Sequence, residues 1–179
     1  MLPVFLHDGE GIAGGFLSGI LHPLTGPDHL VAMVAVGLWG AFLGAPAIWV
    51  LPVVFPLVMA VGAILGLAEV AIPFVETGIS VSAIVLGLMV AFAAKPPLPV
   101  AALLVGVFAI FHGHAHGTEL PASADALAYS LGFVLATGAL HLAGIGLGFA
   151  VEKPGGRAFV RGCGGLIALV GLGFLTGVV

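Results

Sequence analysis

Apolar residues run through this chain in long, nearly unbroken stretches, not in the alternations of half-buried strands or the one-sided stripes of surface helices. Short polar or proline-glycine segments separate six such runs. They span about Gly14 to Leu43, Pro46 to Val70, Ser80 to Ala94, Leu98 to His114, Ala124 to Ala150 and Phe159 to Val178. A helix rises ~1.5 Å per residue, so roughly 20 apolar residues cross the hydrocarbon of a bilayer. The pattern predicts an all-α fold, a polytopic membrane bundle of about six transmembrane helices. Pro52 and Pro56 fall inside the second run and predict a kink there.

Composition narrows the class further. Only 7% of the 179 residues are charged and 61% are hydrophobic, with a mean hydropathy of +1.30. Soluble domains carry about 25% charged residues, so residues 1–179 are read as a single transmembrane domain whose principal partner is the lipid bilayer. A net charge of −4, spread along the chain, speaks against a nucleic-acid surface. One cysteine, Cys163, forbids an internal disulfide and a thiolate cage. The basic residues test the span count. Lys95 falls between runs three and four, and Lys153, Arg157 and Arg161 fall at the turn between five and six. The opposite side receives Asp8, Glu10, Glu69, Glu76, Glu119 and Asp125. The positive-inside rule then places the basic turns in the cytoplasm and both termini outside. The first eleven residues are too short and too polar for a secretory signal. Gly15/Gly19, Gly40/Gly44, Gly62/Gly66, Gly144/Gly148 and Gly173/Gly177 have small-residue spacing, which suits close helix packing within the bundle or a dimer face in a homo-oligomer.

The first run is broken from within. His22-Pro23-Leu24-Thr25-Gly26-Pro27-Asp28-His29 cannot continue a regular helix, because proline lacks an amide donor and crowds the preceding turn. Irregular backbone at membrane depth is tolerated only where protein or a water-filled cavity satisfies it. Ionisable groups at that depth point to a functional site. A plainer possibility is that Thr25-x-x-Asp28 forms a capping box restarting the helix, although that would not require His22 and His29.

A second polar cluster, Phe111-His112-Gly113-His114-Ala115-His116-Gly117-Thr118-Glu119, ends the fourth run. If the helix continues through it, His112, His116 and Glu119 share one face and His114 points elsewhere. The alternative is a solvated histidine-rich loop. Span one enters, and span four leaves, on the same side, so both clusters can converge in the outer half of the bundle. Imidazole with carboxylate and no thiolate fits nickel, cobalt or zinc better than copper(I) or an iron–sulfur cluster. Magnesium and calcium prefer all-oxygen shells. Binding needs unprotonated imidazoles, so affinity is expected to fall as pH drops through the range near ~6.5.

The two motifs, His22-Pro-x-x-Gly-x-Asp28-His29 and Phe111-His-Gly-x-Ala-His116-Gly-x-Glu119, resemble those of the HupE/UreJ family of nickel and cobalt permeases, over nearly the whole chain. The resemblance implies a secondary transporter importing nickel, or next cobalt, for metalloenzymes such as hydrogenase or urease. It implies that His22, Asp28, His29, His116 and Glu119 carry metal recognition, with His112 assisting. His7 matches a histidine before the first span, and is read either as part of a solvated terminus or as folding back toward the site. Family members usually begin with a cleavable signal, and none is visible here.

An enzyme is not expected. The chain has no His-Glu-x-x-His helix, Gly-x-Ser-x-Gly elbow or phosphate-binding loop, so transport would follow a gradient or a separate engine. The competing readings are a haem-binding membrane electron carrier, with histidines as axial ligands, a zinc transporter, and a structural membrane partner. No resident cofactor is expected beyond the transported ion. His141, alone in the fifth run, is read first as a helix-to-helix hydrogen-bonding group and second as an inner relay site.

Overall fold

The computed structural model describes residues 11–120 and 125–178, with side chains from residue 14 onward. Seven α-helices follow one another among them: α1 (Gly11–Thr25), α2 (Pro27–Leu43), α3 (Ala47–Leu67), α4 (Val75–Ala91), α5 (Leu98–Thr118), α6 (Ala126–Gly148) and α7 (Gly156–Thr176), with a 3₁₀ turn at Phe149–Glu152 after α6. The described residues contain no strand. His7 lies outside them.

α1 and α2 are the two halves of the broken first run, set at 79° to each other. Pro23 occupies the last turn of α1 and Pro27 the first of α2. Gly26 between them is extended, with φ −86° and ψ 100°. The capping box is not formed. The Thr25 hydroxyl turns back to the Leu21 and His22 carbonyls, and no side chain caps α2. Four other helices meet the length and hydropathy of a span: α3, α5, the α6 segment and α7; the bent pair makes a fifth. α4 is a shorter apolar helix of 17 residues, still within the lower range for crossing. It begins at Val75, not near Ser80, because its first turn carries Glu76 and Thr77, polar residues that a hydropathy run passes over.

The helices pack chiefly as α3 on α5, α4 on α7, and α6 along both α1 and α2. Glycines allow that closeness. A Cβ on Gly113 would overlap the Met59 carbonyl, and one on Gly37 would overlap the His141 carbonyl, so these backbones touch. In α7 the contacts with α4 come from Gly164 and Gly171. Gly177, from the predicted Gly173/Gly177 pair, is instead the left-handed cap that ends α7.

The perimeter of the bundle is apolar and the interior holds polar groups. Trp49, Val53, Leu57, Val61 and Ile64 stand exposed on α3, as do Leu166, Leu169 and Leu172 on α7. An apolar surface of this extent is what lipid covers. Inside lie His29, His112, His114, His116, Thr137 and His141.

The two ends of the bundle differ in charge. At one end Trp39 Nε1 donates to the Ala94 carbonyl at 3.2 Å and Arg161 Nε to the Ala91 carbonyl at 2.7 Å. The Lys95 ammonium sits 5.4 Å from the centre of the Phe42 ring. These contacts gather the loops after α2, α4 and α6 at one basic end. At the other end His114 Nε2 donates to the Val70 carbonyl at 2.8 Å. Asp125 there caps α6 by accepting from Ala128 N at 2.7 Å.

Candidate metal site

α5 continues as a helix through Thr118, so its polar residues take helical spacing. His112 and His116 are one turn apart and face inward. His114 points away to Val70, as the spacing predicted. Glu119 is the residue that caps the helix end. The break between α1 and α2 presents His22 on the last turn of α1 and His29 on the first turn of α2.

These groups meet although α1 and α5 are not principal packing neighbours; their side chains reach across the interior. His22 Nε2 lies 3.3 Å from Glu119 Oε2. His22, His116 and Glu119 each offer a ligand atom, and the three atoms lie within 4.8 Å of one another. His29 adjoins them, its ring centre 4.3 Å from that of His116 and 5.0 Å from that of His112.

Hydrogen bonds orient the rings. Asp28 Oδ1 accepts from the His29 backbone N–H at 2.9 Å and faces His29 Nδ1 at 3.0 Å. His112 Nδ1 lies 2.9 Å from the Phe108 carbonyl. Each contact selects the tautomer with Nδ1–H donating, which leaves Nε2 with a bare lone pair. Those Nε2 atoms of His29 and His112, and both ring nitrogens of His116, are buried with no partner among the described residues. Unpaired buried polar atoms are costly in a low-dielectric interior, and a cation is a partner to which such lone pairs donate.

Of the predicted residues, the fold thus gathers His22, His116 and Glu119 as a compact trio, with His29 against it and His112 one turn deeper. Asp28 stands outside the trio, behind His29. Sequence reading missed Tyr129 and Phe133 of α6, which wall the site. The Phe133 ring lies 4.2 Å from His116, and Tyr129 lies 6.0 Å from His22. Their signal was present in the fourfold spacing Tyr129, Phe133, Thr137, His141 along α6.

Fold and site together define a polytopic helical membrane protein with a cluster of imidazoles and a carboxylate in its interior, near one end. The chain belongs to the HupE/UreJ family, whose family model ("HupE / UreJ protein") matches residues 1–174. A relative, Protein HupE of Rhizobium leguminosarum bv. viciae, is 47% identical over 177 residues, covering 98% of this chain and 93% of the relative. No solved structure matches.

Proposed function

We propose that this protein is a permease that carries a divalent transition-metal ion, nickel first and cobalt next, across the bacterial inner membrane into the cytoplasm. The observation that carries the proposal is the convergence of His22, His116 and Glu119, from the two ends of distant sequence stretches, with ligand atoms within 4.8 Å. Glu119 is about half exposed and meets the ion at the acidic mouth. His22 and His116 replace part of its hydration shell. His29, held by Asp28, and then His112 receive it one turn further in. Nitrogen-rich ligands with one or two carboxylates suit nickel and cobalt. The basic end, with Lys95, Lys153, Arg157 and Arg161, faces the cytoplasm under the positive-inside rule. Family membership supports a role in metal supply to enzymes such as hydrogenase or urease.

The ring geometry favours a bare ion over haem. His22, His29, His112 and His116 contact one another at centroid separations of 4.3–6.3 Å in edge-on and tilted arrangements. A macrocycle has no flat slot between rings placed that way.

The test is accumulation of radioactive Ni²⁺ and Co²⁺ by cells or proteoliposomes carrying Glu119→Gln, which keeps the shape and removes the charge. Uptake is expected to fall by about tenfold or more, a barrier change of ~1.4 kcal/mol, with the protein still inserted and helical. Wild-type uptake by that variant would refute the assignment.

A further inference from the structure

A dication leaving His112 toward the basic end still has most of the membrane to cross. Fourteen residues of α5 precede His112, about 21 Å of helix, and they include no hydroxyl, imidazole or charged side chain. α3 has none along its whole length, and α2 has none after His29. On α6, beyond Ser130, there are two: Thr137 and His141. Both are buried, at 0% and 2% exposure, and Thr137 Oγ1 and His141 Nε2 have no hydrogen-bond partner among the described residues. One helical turn separates them, so they share a face of α6.

His141 also has a backbone acceptor beside it, the carbonyl of Pro52. Residue 56, which would ordinarily donate to that carbonyl, is proline and has no N–H. The two prolines of α3 thus leave an orphan acceptor next to the His141 ring. The ring is also in line with the outer cluster: Phe55 lies 5.3 Å from the His112 ring and 5.6 Å from the His141 ring. His141 sits eight residues beyond Phe133 and seven before Gly148 on α6, or about 12 Å below the outer site and about 10 Å from the basic end.

We infer that His141 Nε2 and Thr137 Oγ1 form a second, weaker station for the transported cation, dividing the inner half of its path. The inference rests on the permease reading above. Two protein donors hold an ion loosely, as a transit site must if the ion is to leave.

The experiment uses the full chain, reconstituted in liposomes, titrated with Ni²⁺ and assayed for Ni²⁺ uptake. Wild type is expected to show a tight and a weak binding step. His141→Gln keeps an amide donor for the Pro52 carbonyl but lacks the imidazole lone pair. It is expected to keep the tight step, lose the weak one, and take up Ni²⁺ about tenfold more slowly. In a Pro56→Ala background the Pro52 carbonyl regains its helical donor, so His141→Ala is expected to fold there and show the same loss. Wild-type uptake, or an unchanged weak step, in either variant overturns the station. Glu119→Gln, run in parallel, separates the two readings: if it loses uptake while His141→Gln does not, the station alone fails. If wild type neither binds nor takes up Ni²⁺, the permease reading falls and the station with it.

Discussion

Asp28 illustrates how one residue serves a site from behind it. Its Oδ1 holds both the backbone N–H and the Nδ1 side of His29, orienting a ring whose centre lies 4.3 Å from that of His116 and 5.0 Å from that of His112. A carboxylate in that position sets the tautomer and strengthens the imidazole as a donor to a metal. Asp28→Asn preserves the shape and weakens the acceptor. It is expected to lower Ni²⁺ and Co²⁺ affinity by roughly 10–100-fold and to abolish uptake, with the helical circular dichroism unchanged. Metal titration of the purified variant checks the first effect and radioactive accumulation the second. Its consequence differs from that of removing Glu119, which contributes an oxygen to the trio itself.

Among elements, the α3–α5 pair positions the deeper histidines. Gly62 and Gly66 of α3 lie against the Ile110 and His114 carbonyls, while Gly113 and Gly117 of α5 lie against the Met59 and Ala63 carbonyls. The reciprocal contact holds the α5 face bearing His112 and His116 in one orientation. Gly113→Ala would force a Cβ into the Met59 carbonyl and is expected to destabilise the bundle by about 1–3 kcal/mol and to weaken metal binding with it. Gly146 on α6 has open space around its Cβ position. Gly146→Ala is expected to be neutral or to stabilise by up to about 1 kcal/mol, from helix propensity alone. Thermal melting of the two variants in the same detergent compares them, and equal melting temperatures would contradict the packing role.

For the whole molecule, the separation of charge between the two ends is what the proposed orientation rests on. Lys95 and Arg161 are tied to the chain at one end, while His114 and Asp125 mark the other. Cysteine labelling tests the orientation proposed from this asymmetry. In a Cys163→Ala background, Glu69→Cys is expected to react with an impermeant maleimide added to intact spheroplasts. Glu152→Cys is expected to react only after the membrane is opened. The reverse pattern would invert the bundle and turn the proposed importer round.

The sequence by itself determined the all-helical membrane class, the break within His22–His29 and the turn of His114 away from the face of His112 and His116, since each follows from local chemistry: apolar run length, proline's missing donor, the 3.6-residue period. It also showed that His112, His116 and Glu119 would share a face once α5 continued as a helix. Tertiary structure decided what no period encodes. α1 and α5 are not principal packing neighbours, so the meeting of His22 with His116 and Glu119 depends on how α6 and α3 hold the two apart at side-chain reach. The placing of His141 beside the Pro52 carbonyl likewise brings together residues 89 positions apart. Hydropathy specifies that a helix lies in lipid. Which of its polar atoms find partners there depends on the helices beside it.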